Sequence, residues 1–151
     1  MKYFLMSTRF NKQSPSDFGL KYENGKFVSL SDGSEWIPCQ LYDYGWGKEN
    51  GFYKKPLGSF DELIKLIIEF NDEEDFYGAA SIIEDMYPNE LKQYLLDLMK
   101  QHPSRTIKSR LCRAFKLMYC TNRTFSKAYS MKDNSIELQQ WKIISEFYSK
   151  K

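Results

Sequence analysis

The chain has 151 residues, a length that fits one domain and allows about two-thirds of the unfolded surface to be buried. Its 11 Tyr, 11 Phe and 3 Trp exclude a largely disordered chain, which lacks aromatic area, and its 42% hydrophobic residues are ordinary for a globular protein. The formal net charge of +2 conceals a division: Pro56–Met99 holds eleven acidic residues against Lys65 and Lys92, whereas Lys100–Lys132 holds nine basic residues and no acidic one.

Tyr3–Ser7 is a short apolar run that reads as a buried strand, and a polar loop follows through Asn11, Gln13, Ser14, Pro15 and Ser16. Thr8, Arg9 and Asn11 interrupt the opening run before an h-region of useful length forms, so no signal peptide is expected. Leu63–Phe70, the longest strongly apolar window, is broken by Lys65 and Glu69 and falls far short of the roughly 18 residues of a membrane span. The expectation is a soluble, cytoplasmic protein. Cys39, Cys112 and Cys120 are read as reduced core thiols. If Cys112 and Cys120 share one helix they stand about 12 Å apart, beyond disulfide reach.

Phe18–Tyr22 and Lys26–Leu30 flank Glu23-Asn24-Gly25, where Asn-Gly supplies the two positive φ angles of a tight hairpin turn. Asp32-Gly33 marks a second turn before Trp36–Tyr42, so three or four antiparallel strands are expected in this third of the chain. Gly45-Trp46-Gly47-Lys48-Glu49-Asn50-Gly51 superficially matches a phosphate-binding loop. It fails that test, because a dinucleotide fingerprint needs glycine where Asn50 stands and a Walker loop needs Ser or Thr where Glu49 stands. The segment, with Phe52, Tyr53, Lys54 and Lys55 after it, reads as a connecting loop between sheet and helices.

From Pro56 the apolar period changes from two to about 3.6. Ser59 and Glu62 make a capping box, and Leu63, Ile64, Leu66, Ile67 and Phe70 fill one face, predicting a helix over Phe60–Phe70. Asn71–Asp75 leads into a second helix over Phe76–Met86, whose positive end the carboxylates favour, with Ala79, Ala80, Ile82, Ile83 and Met86 inward. Pro88 opens a third helix with Leu91, Tyr94, Leu95, Leu98 and Met99 as its apolar stripe. A fourth spans about Arg105–Tyr119, with Ile107, Leu111, Ala114, Phe115 and Met118 inward and Arg105, Lys108, Arg113 and Lys116 towards solvent. A short element follows through Phe125, Ala128, Tyr129 and Met131. Asn134 and Glu137 then cap a last helix carrying Leu138, Trp141, Ile144, Phe147 and Tyr148.

One histidine and three scattered cysteines do not make a zinc site, and Asp72–Asp75 lacks the alternating ligands and glycine of a calcium loop, so no metal or cofactor is expected. Catalysis through the single imidazole, His102, is not expected either, since it stands before Pro103 at a helix end. The charge division bears more directly on function. The acidic stretch Asp72, Glu73, Glu74 and Asp75, with Glu69 and Glu84 to either side, presents carboxylates to a cationic partner, and Tyr42, Tyr44 and Trp46 supply aromatic anchors beside it. The alternative lies in the basic segment 100–132, where Arg105, Lys108, Arg113, Lys116 and Arg123, interleaved with aromatics, suit a nucleic-acid backbone.

The strand-rich start with Glu23-Asn24-Gly25, the aromatic loop Gly45–Leu57, and the acidic helical run from Ser59-Phe60-Asp61-Glu62-Leu63 through Tyr87-Pro88-Asn89-Glu90-Leu91 together carry a likeness of build over most of the chain. In these the chain resembles the immunity proteins that bacteria encode beside polymorphic or contact-dependent toxins. The resemblance implies a non-enzymatic inhibitor that blocks a cationic toxin domain, such as a nuclease, through an acidic surface; the basic second half departs from it. The reading is therefore an α+β protein in a single domain, 1–151: an N-terminal antiparallel β-sheet and loops over 1–58, then an antiparallel helical bundle of about five helices over 59–151. Its expected role is that of a small binding protein with a protein partner, and the alternative is a nucleic-acid-associated regulatory or phage protein.

Overall fold

The change of period at Pro56 divides the structure where the sequence places the division, with strands before it and helices after it. The computed structural model describes residues 2–7, 14–42, 48–117 and 135–150. Strands β1 (Phe4–Met6), β2 (Leu20–Glu23), β3 (Lys26–Ser29), β4 (Glu35–Tyr42) and β5 (Lys48–Lys54) form one antiparallel sheet in the order β1-β5-β4-β3-β2. Helices α1 (Phe60–Glu69), α2 (Glu73–Met86), α3 (Pro88–Met99), α4 (Arg105–Phe115) and α5 (Ser135–Ser149) follow among the described residues. The expected α+β architecture is thus observed.

Local chemistry explains most of these boundaries. Asn24 and Gly25 take φ of 52° and 78°, as a two-residue hairpin between β2 and β3 requires. Ser59 accepts from the backbone N–H of Glu62 while the Glu62 carboxylate accepts from the N–H of Ser59, closing the capping box of α1. Ser104 caps α4 in the same manner through the N–H of Ile107.

Four expectations need correction. The segment expected to connect sheet and helices contains β5, which pairs with both β1 and β4; Gly51, which reads locally as a breaker, sits where a Cβ would meet the Leu5 carbonyl oxygen at 2.5 Å. Phe18 belongs to a 3₁₀ turn, Pro15–Phe18, ended by Gly19 in the left-handed region, so the first hairpin strand begins at Leu20. Met86, expected inward, is exposed. α4 stops at Phe115, because Lys116 turns left-handed with φ of 55°. Cys39 and Cys112 are free thiols, as expected, and burial together with the nearby Asp85 charge pushes the Cys39 thiol up to about 12. Cys120, Asn134 and the short element around Phe125–Met131 lie outside the described residues.

Strand alternation gives the sheet two apolar faces. Phe4, Met6 and Leu41 turn towards the helices and join the main core with Leu63, Ile67, Phe76, Ile83, Leu91, Leu95, Leu111, Phe115 and Trp141. Leu5, Leu20, Trp36 and Phe52 turn the other way and form a smaller cluster with Phe18 and Phe27, whose rings both meet Phe52 edge-on at 5.0 Å. Helix α2 is the pivot of the main core, with every residue from Glu74 to Ile83 buried. It approaches β1 at Gly78, where a Cβ would lie 2.4 Å from Cγ of Phe4, so the absence of a side chain sets the spacing of helix and sheet.

Candidate functional site: the acidic end of helix α2

The first turn of α2 faces the outer edge of the sheet. β1 gives one edge to β5, with Lys54 N–H donating to the Tyr3 carbonyl and Ser7 N–H to that of Asn50, so the N–H groups of Phe4 and Met6 point the other way. Among strand edges these outward donors ordinarily meet water or another chain. Here they meet carboxylates. Asp75 Oδ1 accepts from the N–H of Tyr3 at 2.8 Å and of Phe4 at 2.9 Å, and Glu74 Oε2 accepts from that of Met6 at 2.8 Å. Lys2 closes the arrangement, its ammonium 2.8 Å from both Asp72 and Glu74.

Each residue's place follows from the helix start. Asp72 is the N-cap and accepts from the N–H of Asp75 at 3.0 Å. Glu74 and Asp75, two and three residues on, are carried round to the strand side and are only 4% exposed. Burial alone raises the Asp72 carboxyl, but Lys2 and the backbone N–H groups of Asp75 and Glu74 outweigh it and hold the group below the ordinary value. Asp75 goes the other way: burial dominates, the N–H groups of Tyr3 and Phe4 offset it in part, and the carboxyl stands above the ordinary value. Desolvation lowers the Lys2 ammonium, yet its bonds to Asp72 and Glu74 carry it above the ordinary lysine value.

The acidic stretch is therefore not one solvated face. Glu74 is a buried acceptor of a backbone donor, so it is not available to a partner as the sequence suggests. Glu73 points away from the strand, with Arg113 3.7 Å off. Glu84 is half-buried, twelve residues beyond the cap and about 18 Å further along α2. Glu69, Asp72 and Asp75 do come together, lining a cleft of about 450 Å³ with Lys2, Tyr3, Lys65, Leu66 and Asn71. Glu69 is exposed, within 3.8 Å of Lys65, and Tyr3 is 39% exposed at the same opening. A second hollow of about 200 Å³, lined by Tyr3, Pro56, Leu57, Leu63 and Leu66 among others, adjoins it between β1 and α1.

Of the aromatic anchors, Tyr42 ends β4, and Tyr44 and Trp46 lie outside the described residues. Sequence reasoning misses Lys2, Tyr3 and Lys65. Lys2 and Tyr3 pair with residues about seventy positions away, for which no local periodicity exists, and the one usable hint is a lone lysine immediately before an apolar strand; Lys65 stands one helical turn before Glu69, a spacing that the sequence does show.

The basic helix α4 is largely engaged with the acidic part of the fold. Arg113 Nε donates to the Tyr77 hydroxyl at 2.7 Å, and its guanidinium lies over the ring of Phe70 at 5.2 Å. Arg110 donates to the Ile68 carbonyl at the end of α1. Lys108 sits over the Phe147 ring at 4.5 Å, Lys116 is half-buried and Arg105 is exposed. Arg123 lies outside the described residues. Among the described residues no cluster of His, Cys, Asp or Glu is arranged to hold a metal ion, and no helix is long and apolar enough to cross a membrane.

Compared with known protein families, curated proteins and solved structures, the chain matches none.

Proposed function

We propose that the protein is a small non-enzymatic binding protein of the immunity type, which neutralises a cationic bacterial toxin domain by receiving basic side chains at the cleft between β1, α1 and α2. The observation that carries this reading is the meeting of Glu69 and the outer part of Asp72 at one opening beside the exposed ring of Tyr3, with buried Asp75 behind them. A partner arginine entering there meets carboxylate oxygens and an aromatic surface, the combination that anchors interfaces. Lys65, held to Glu69 only by an exposed pair, is readily displaced by it. The alternative, a nucleic-acid-associated protein using residues 100–132, has less support, since Arg110 and Arg113 are committed to α1 and α2.

Glu69→Lys is the informative substitution, because Glu69 is exposed and holds no backbone group. With a partner isolated by pull-down on the wild-type chain, the variant associates more slowly in stopped flow, and the difference shrinks as salt rises. Its unfolding midpoint stays unchanged. Association rates equal to wild type at both ionic strengths overturn the reading.

A further inference from the structure

The far side of the sheet ends on a different kind of edge. In β2 the hairpin register and the bond from the Leu30 N–H to the Gly19 carbonyl direct the main chain of Lys21 and Glu23 towards β3. The N–H and C=O groups of Leu20 and Tyr22 therefore face away from β3, but Leu20 is only 3% exposed, so the accessible pair is that of Tyr22. No carboxylate or strand among the described residues meets them, no proline or bulge interrupts them, and Tyr22 is 65% exposed. Edges of this kind accept a further strand unless something opposes it.

The sequence of this edge is complementary to itself. An antiparallel copy centred on Tyr22 places Tyr22 opposite Tyr22, Lys21 opposite Glu23, and Glu23 opposite Lys21. The centre of that register is the residue whose N–H and C=O point outward, so the two Tyr22 backbones exchange both hydrogen bonds across a two-fold axis. Lys21 and Glu23 lie on one face of the sheet, 3.0 Å apart within the chain and each about half exposed, free to exchange partners across the axis at little cost. On the opposite face the Tyr22 ring already leans on Phe27 at 5.0 Å and meets its counterpart at the axis.

We propose that the β2 edge is a homodimer surface, on which a second copy of this chain pairs antiparallel through Lys21–Glu23, joining two five-stranded sheets into one. The interface is isologous, as a two-fold dimer requires. It is also short, so the dimer is weak, with a dissociation constant roughly at or above 0.1 mM.

Sedimentation equilibrium of the full chain up to about 1 mM tests this, using Lys21→Glu, Glu23→Lys and the double exchange. Lys21→Glu places like charges opposite each other twice, and so does Glu23→Lys; each weakens self-association about tenfold or more. An equimolar mixture of the two single variants dimerises again, because the two carboxylates on the edge of one chain then face the two ammonium groups on the edge of the other. The double exchange dimerises as wild type does. These residues are exposed, and unchanged circular dichroism and unfolding midpoints separate lost pairing from lost folding. A wild-type chain that is monomeric throughout the range overturns the proposal. So does a dimer indifferent to these charges, which uses another surface, or a monomer whose β2 edge instead captures an extended peptide.

Discussion

The two edges of the same sheet are finished in opposite ways. At β1 the outward N–H groups are taken by carboxylates from a helix that begins about seventy residues later, and the strand itself is buried. At β2 they face outward beside exposed Lys21, Tyr22 and Glu23. The difference comes from where the helices lie, since α2 crosses β1 at Gly78 and brings its first turn to that edge, while the β2–β3 hairpin projects beyond it. Acidic residues that look like surplus surface charge in the sequence are thus divided between two tasks. Glu74 and Asp75 replace a missing neighbouring strand, and Glu69 with the outer part of Asp72 is left at the open cleft.

The comparison breaks most sharply on charge reversal at each edge. Glu74→Lys removes the acceptor of the Met6 N–H and sets a buried ammonium beside Lys2, so urea unfolding shows a loss of about 3–5 kcal/mol. Lys21→Glu at the open edge shifts stability by no more than about 0.5 kcal/mol in dilute protein. Losses of equal size at the two positions contradict the division.

A smaller and subtler effect separates the two aspartates by the direction of their titration. Asp72 is held below the ordinary carboxyl value, so its contribution to stability is complete above about pH 4 and is lost as pH falls through its folded-state value. Asp75 is raised, so the fold binds its proton more tightly than the unfolded chain does, and ionisation subtracts stability as pH rises through and beyond about 4. Asp72→Asn therefore flattens the acid side of the stability profile. Asp75→Asn, an isostere that keeps an acceptor oxygen, gains relative to wild type as pH rises through and beyond about 4. Unfolding midpoints across that range, with carboxyl-carbon NMR titrations, check both slopes.

Much of the fold was legible because it is written locally. Asn24-Gly25 marks a hairpin, Ser59 with Glu62 marks a helix start, and the shift of period at Pro56 marks the passage from sheet to helices. β5 was not legible, since Gly51 looks like a breaker and its reason, the nearby Leu5 carbonyl, is supplied by another strand. The acidic run misled for a similar reason. Asp72–Asp75 reads as a helix entry and an outward-facing acidic surface until β1 is seen beside it, and α2 in fact begins three residues earlier than its apolar stripe suggests. Of the candidate site, the acidic character was visible, but the convergence of Glu69, Asp72 and Asp75 with Tyr3 and Lys2 required the tertiary fold.

Amide hydrogen exchange tests the contrast between the two edges most directly. It is measured in the Lys21→Glu variant at dilute concentration, so that self-association does not protect β2. Phe4 and Met6 are predicted to exchange as slowly as core amides, because Asp75 and Glu74 must let go before water reaches them, while Tyr22 exchanges quickly. Rapid exchange at all three amides would mean that the carboxylates of α2 do not hold the β1 edge, and would contradict the account.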